Sequence, residues 1–232
     1  MSMSIKSSKL ETKQLGRLDR IPIPRYTLGE ELISSIWHGV GAVLGIASLC
    51  RCLVQSYQNW DTWDVVSSWI FGISLVVLYS MSCIYHGLKP NRAKKVMRIF
   101  DHCTIFLLIA GTYTPFTLVA LRKSVGWWLF AVVWGAAIVG IILNAIDMER
   151  FKKISMVCYL AMGWVVILAF EPLREAVPLA GIQLLVAGGV AYTLGAIIYG
   201  VGSKVKYMHS LWHFFVLAGS ILHFFTIYLY VI

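Results

Sequence analysis

Apolar residues in this chain come in long unbroken runs and do not alternate with polar ones. Seven such runs, roughly 33–54, 65–85, 99–121, 125–146, 154–170, 181–201 and 208–231, approach or exceed the ~20 residues that carry a helix across a ~30 Å hydrocarbon core at 1.5 Å per residue. In lipid every backbone amide must find its partner inside the protein, so runs without a period of two are helices and not barrel strands. The expected fold is all-α: a polytopic membrane protein with a seven-transmembrane helix bundle. Residues 30–232 form that domain, and residues 1–29 form a polar, basic tail that lacks the apolar stretch of a cleavable signal peptide. Thr27 and Glu30 make a capping-box pattern just before the first run, which predicts a helix starting at the membrane surface.

Composition agrees with this pattern, because 59% apolar against 13% charged residues leaves too little polar surface for a soluble fold of 232 residues. The basic residues then orient the bundle. Sixteen of the 20 Lys and Arg fall in the tail and in the connections after the second, fourth and sixth runs, while Arg51, Arg122, Lys123 and Arg174 fall on the other side. The positive-inside rule therefore predicts a cytoplasmic amino terminus and an outward carboxyl terminus. The net charge of +9 sits in short loops beside the membrane, so the partners it implies are membrane lipids and not nucleic acid. Cys50, Cys52, Cys83, Cys103 and Cys158 lie within or at the rims of the runs and outline no disulfide framework.

Against this apolar background five polar residues stand out: Ser82, His86, Asp101, His209 and His213. Ionisable groups in a membrane segment are costly unless paired or bound, and all five fall at the predicted cytoplasmic ends of their helices. Ser82 and His86 are four residues apart, as are His209 and His213, so each pair shares a helix face one turn apart. Three neutral imidazoles suit Zn²⁺ at about 2.0–2.1 Å and leave a fourth position open, the pattern of a catalytic zinc site. Asp101 is then the candidate base and Ser82 the candidate hydrogen-bond donor to a ligand or developing oxyanion. The competing account makes each histidine a lone polar group hydrogen-bonded between helices; three of them on one side favour metal.

Other polar and small residues read differently. His102 points about 100° around the helix from Asp101 and serves as a neighbouring partner, His38 is a candidate to line the same cavity, and His223, about 15 Å beyond His213, cannot share its ion. Gly41-x-x-x-Gly45 and the glycines of the sixth run offer close helix approach, Trp60, Trp63, Trp127 and Trp128 an interfacial aromatic belt, and Pro115 a kink.

Taken together, Ser82-x-x-x-His86, Phe100-Asp101-His102, Gly111-Thr112-Tyr113-Thr114-Pro115 and His209-x-x-x-His213 in a seven-helix chain resemble the hemolysin III family, over about residues 30–232. That family stands with the progestin and adipoQ receptors, and more distantly the alkaline ceramidases, among membrane proteins regarded as hydrolases. The resemblance implies zinc held by His86, His209 and His213, with Asp101 and Ser82 beside it. One departure is the helix 7 motif, which in bacterial relatives often reads His-Glu-x-x-His but here is His209-Ser210-Leu211-Trp212-His213, leaving Asp101 as the nearby carboxylate. Three functions follow as expectations. The first is a zinc-dependent hydrolase of a lipid amide or ester in a bacterial inner membrane, with a role in membrane homeostasis. The second is a zinc-stabilised membrane sensor. The third is the pore-forming cytolysin of the family's name, for which the outer halves of the helices offer few polar residues.

Overall fold

The computed structural model describes residues 18, 21–201 and 205–232; most of the basic tail and Lys204 lie outside them. The described residues are helical, without strands: α1 (Leu28–Asn59), α2 (Thr62–Gly87), α3 (Arg92–Pro115), α4 (Gly126–Trp164), α5 (Phe170–Ala176), α6 (Leu179–Val201) and α7 (Met208–Tyr230). The first three helices overrun their apolar runs because side chains cap them. Thr27 and Glu30 close a capping box on α1, Asp61 accepts from Trp63 N at α2, and Asn91 accepts from Lys94 N at α3.

Among the described residues six stretches are long and apolar enough to cross a membrane, and one of them, residues 126–176, holds 51 residues. As one straight helix it would reach about 76 Å, more than twice the hydrocarbon core. It is not straight. Asp147 leaves helical geometry (φ −156°, ψ 89°), and across it Ser155 Oγ donates to Asn144 Oδ1 at 2.6 Å while Asn144 Nδ2 donates to Tyr159 Oη at 3.2 Å. Residues 11 and 15 positions apart would be roughly 16 and 22 Å apart along a continuous helix, so the chain folds back at Asp147. The run lengths predict a connection over 147–153, whereas a single residue makes the turn. Asp147 Oδ1 accepts from Arg150 N at 3.1 Å and so restarts the helix at once.

The side-chain distribution is inside out relative to a soluble protein. Ile36, Val43, Trp60, Leu168 and Leu179 face outward, while Ser34, Ser56, Ser67, Ser68, Ser82 and Thr114 are fully buried. In lipid the apolar effect does not hold helices together, and small residues and interhelical hydrogen bonds do. The ring of Tyr79 lies where a Cβ on Gly41 would stand, Leu49 does the same at Gly72, Ser74 at Gly111 and Phe106 at Gly140. Ser56 meets Ser68 at 2.6 Å, and Tyr79 Oη donates to Ser220 Oγ at 2.6 Å. Neighbouring helices close a ring in the order α1, α2, α3, α4, α6, α7, with α7 back against α1. This ring puts the start of α1 and α7 beside the end of α2.

Pro115 has no N–H to continue the helical ladder, and a π-helical turn, Phe116–Ala120, follows it. Thr117 Oγ1 donates to the carbonyls of Tyr113 and Thr114, covering oxygens freed by the change of register. The connection to α4 is then tight. A Cβ on Gly126 would lie 2.0 Å from Thr117 O and 2.6 Å from Leu121 O, and backbone oxygens cannot rotate away. Gly126→Ala is expected to lower stability by about 1–3 kcal/mol, as overpacking does, read as a lower thermal midpoint in detergent. Gly135→Ala, with nothing within 4 Å of the new methyl, is the control and should match or exceed the parent.

Candidate metal centre

Four helix ends meet at one end of the bundle. The first turns of α1 carry Glu31 and, two turns on, His38; the last two turns of α2 carry Ser82 and His86; the first three turns of α3 carry Lys94 and Asp101; α7 begins with His209 and His213. The three histidines of the sequence pattern converge through one ring nitrogen each. Nε2 of His213 lies 3.0 Å from Nε2 of His86 and 3.1 Å from Nε2 of His209, and the latter two are 3.4 Å apart.

Those separations test whether an ion fits. Tetrahedral bonds of 2.0–2.1 Å place neighbouring ligand atoms about 3.3–3.4 Å apart, close to the three distances found. The opposite ring nitrogens set the tautomers. His86 Nδ1 is 2.7 Å from Glu31 Oε2, and a carboxylate only accepts, so Nδ1 carries the proton and the Nε2 lone pair faces the other imidazoles. His213 Nδ1 is 2.8 Å from His38 Nε2, so a proton on that Nδ1 frees its Nε2 as well. Imidazoles anchored through their second nitrogen are the usual support of a metal site. His86 and His213 are buried; His209 is half-buried, its ring stacked on Tyr26 at 4.7 Å between centroids. Burial raises the pKa of the Tyr26 phenol, so it stays a neutral hydroxyl.

Ser82 is fully buried one turn before His86, and its Oγ has no hydrogen-bond partner among the described residues. Asp101 is buried, with Oδ2 3.8 Å from His102 Nδ1. Neither joins the imidazole cluster directly, but Asp101 shares a cavity wall with His209. His102, as its helical angle predicts, stays outside the cluster; its Nδ1 donates to Arg98 O at 3.0 Å. His38 does line the cavity and supports His213 besides. His223 is no part of the cluster; it lines the same cavity farther in, with Nε2 3.1 Å from Leu185 O.

Sequence reasoning missed Glu31 and Lys94. Lys94 Nζ donates to Glu31 Oε1 at 2.6 Å and to Leu88 O at 2.9 Å, completing a chain from His86 through a carboxylate to a buried ammonium. The available signal was that Glu31 and His38 are seven residues apart on α1, hence on one face. Lys94 gave none, because it stands among four other cations in a membrane-flanking loop.

The cavity occupies about 1030 Å³. It begins at Asp101 and His209 and runs inside the helix ring past Leu108, Leu160 and Val216 to Trp164 and Gly189. Its depth is mostly apolar and its mouth polar, the distribution expected for a site taking a long apolar ligand with a polar end.

A family model described as Haemolysin-III related matches residues 26–224, a span that contains the whole histidine cluster. Hemolysin-3 of Bacillus cereus is 41% identical over 203 residues, covering 88% of this chain and 92% of that protein. The Hemolysin-3 homolog of Bacillus subtilis is 38% identical over 205 residues, covering 88% and 96%. Monocyte to macrophage differentiation factor of Homo sapiens is 27% identical over 200 residues, covering 82% and 79%. With its apolar crossing helices and this end-to-end likeness, the chain is a multi-pass integral membrane protein, as suits a bacterial plasma membrane, and it belongs to the haemolysin-III related family.

Proposed function

We propose that this protein is a zinc-dependent hydrolase of a lipid amide or ester, acting at the cytoplasmic leaflet and serving membrane homeostasis. The observation that carries the reading is the position of the cluster, three converging Nε2 atoms whose most accessible member, His209, forms the wall of a deep, mostly apolar cavity. A structural zinc site would be closed by a fourth protein ligand. Among the described residues the cluster offers three.

The topology belongs to the same proposal. Folding back at Asp147 turns six apolar stretches into seven crossings, which puts the tail of residues 1–29 in the cytoplasm and Ile232 outside. The cluster then lies on the cytoplasmic side of the domain formed by residues 30–232.

Zinc held by His86, His209 and His213 would supply Lewis-acid polarisation of a carbonyl and an acidified water. The cavity walls orient the acyl chain and exclude bulk water, which holds the carbonyl carbon near the cluster. Asp101, on the same wall, takes the proton from the attacking water and returns it to the leaving amine or alcohol. Ser82, buried one turn before His86 with its hydroxyl unpartnered, is the hydrogen-bond donor this reading assigns to a ligand of the site.

Asp101→Asn keeps the shape and removes the base. Release of fatty acid from a labelled lipid ester or amide by the reconstituted protein is expected to fall at least ~100-fold, the usual contribution of general base catalysis, with metal content unchanged. Turnover equal to the parent would remove Asp101 from the mechanism.

A further inference from the structure

We propose that the cavity selects a phosphate-bearing lipid, whose anionic headgroup is held at the mouth by Arg25, Arg98, Lys152, Lys153 and Lys206. The inference rests on the reading of the cavity as the substrate chamber and names the class of substrate it takes.

Five cations from four parts of the chain line this one cavity: Arg25 before α1, Arg98 on α3, Lys152 and Lys153 on the second limb of α4, and Lys206 before α7. Two carboxylates, Glu30 and Asp101, line it as well. Glu30 is committed to the α1 cap and to Tyr207 N at 2.8 Å. Arg98 and Lys152 share Glu149 at 2.8 and 3.0 Å. Arg25, Lys153 and Lys206 are exposed and have no ion-pair partner among the described residues. Arg98 is nine-tenths buried, yet its Nε also lacks a hydrogen-bond partner.

Topology requires positive charge on one side of the membrane; it does not require that charge to gather on the wall of one cavity. Cations converging from separate elements make a site for a phosphate, for which guanidinium and ammonium groups are the natural donors. The apolar interior behind them accounts for the chain of the same molecule. Free phosphate esters share the headgroup chemistry, but the depth of the cavity commits the site to a lipid.

The test compares two ether lipids without an acyl ester or amide bond, an alkyl-glycerol phosphate and the alkyl-glycerol of the same chain. Each is titrated onto detergent-purified full-length protein and read by native mass spectrometry. The phosphate lipid is expected to bind at least ~10-fold more tightly. Arg25→Gln/Lys153→Gln/Lys206→Gln, which changes only exposed side chains, should bring the two affinities to within about twofold. Equal binding by the parent, or a preference that survives the triple substitution, would overturn the proposal. So would displacement of the phosphate lipid by chainless glycerol phosphate at equal concentration, which would make the ligand a soluble ester. Because neither probe carries an acyl bond to hydrolyse, failure here leaves the hydrolase reading to the Asp101→Asn measurement, and failure there leaves this binding preference standing or falling alone.

Discussion

His209→Ala is expected to take the detergent-purified protein from about one zinc per chain to none, measured by metal mass spectrometry. The reason lies in the ligand count. The parent presents three Nε2 atoms 3.0–3.4 Å apart, and the carboxylate nearest in the hydrogen-bond network, Glu31, is already shared by His86 and Lys94. Removing one imidazole leaves two of the three ligands that the described residues group at this site. His209 is the best of the three to remove, because it is half-buried whereas His213 is fully buried against His38 and would leave a cavity in the α1, α2 and α7 seam. Ligand binding stabilises the folded state by mass action, so chelation should lower the thermal midpoint of the parent and leave that of His209→Ala unmoved. A variant with the same metal content and chelator response as the parent would return the histidines to the role of interhelical hydrogen-bonding groups.

Much of this site could be read from spacing alone. Positions four apart on a helix must share a face, so Ser82 with His86 and His209 with His213 are paired by geometry before any fold is known. That the two pairs meet is a matter of packing, because α1 lies against both α2 and α7 and brings the end of one beside the start of the other. The fold-back at Asp147 was legible only as two apolar runs, since a turn made by one residue leaves no loop composition to read. The partners of the histidines were harder still. Glu31 precedes the first apolar run and looks like part of a helix start, and Lys94 looks like a topology charge. Their pairing depends on the angle at which α1 crosses α2 and α3, which side-chain packing such as Tyr79 on Gly41 decides and no periodicity encodes.

The Glu31–Lys94 pair is therefore where the structure adds most, and its disruption should be costly. Lys94 is 1% exposed, its ammonium held by Glu31, by Leu88 O and over the Tyr85 ring at 5.0 Å. Glu31→Gln leaves that buried cation without a counter-charge, and Lys94→Met leaves the carboxylate with His86 alone. Breaking a buried pair from one side costs ~3–5 kcal/mol, whereas replacing both partners can be close to neutral. Each single variant should lose that much stability, and Glu31→Gln/Lys94→Met should lose much less than their sum, a coupling of at least ~1 kcal/mol. The same substitutions reach the metal through His86. Without the carboxylate on Nδ1 the ring loses the group that fixes its tautomer, and zinc affinity should fall ~10–100-fold in both Glu31→Gln and the double variant. Stability and affinity then separate, since the double variant recovers the first and not the second. Additive stabilities together with parental zinc affinity would show that the pair neither holds this end of the bundle nor positions His86.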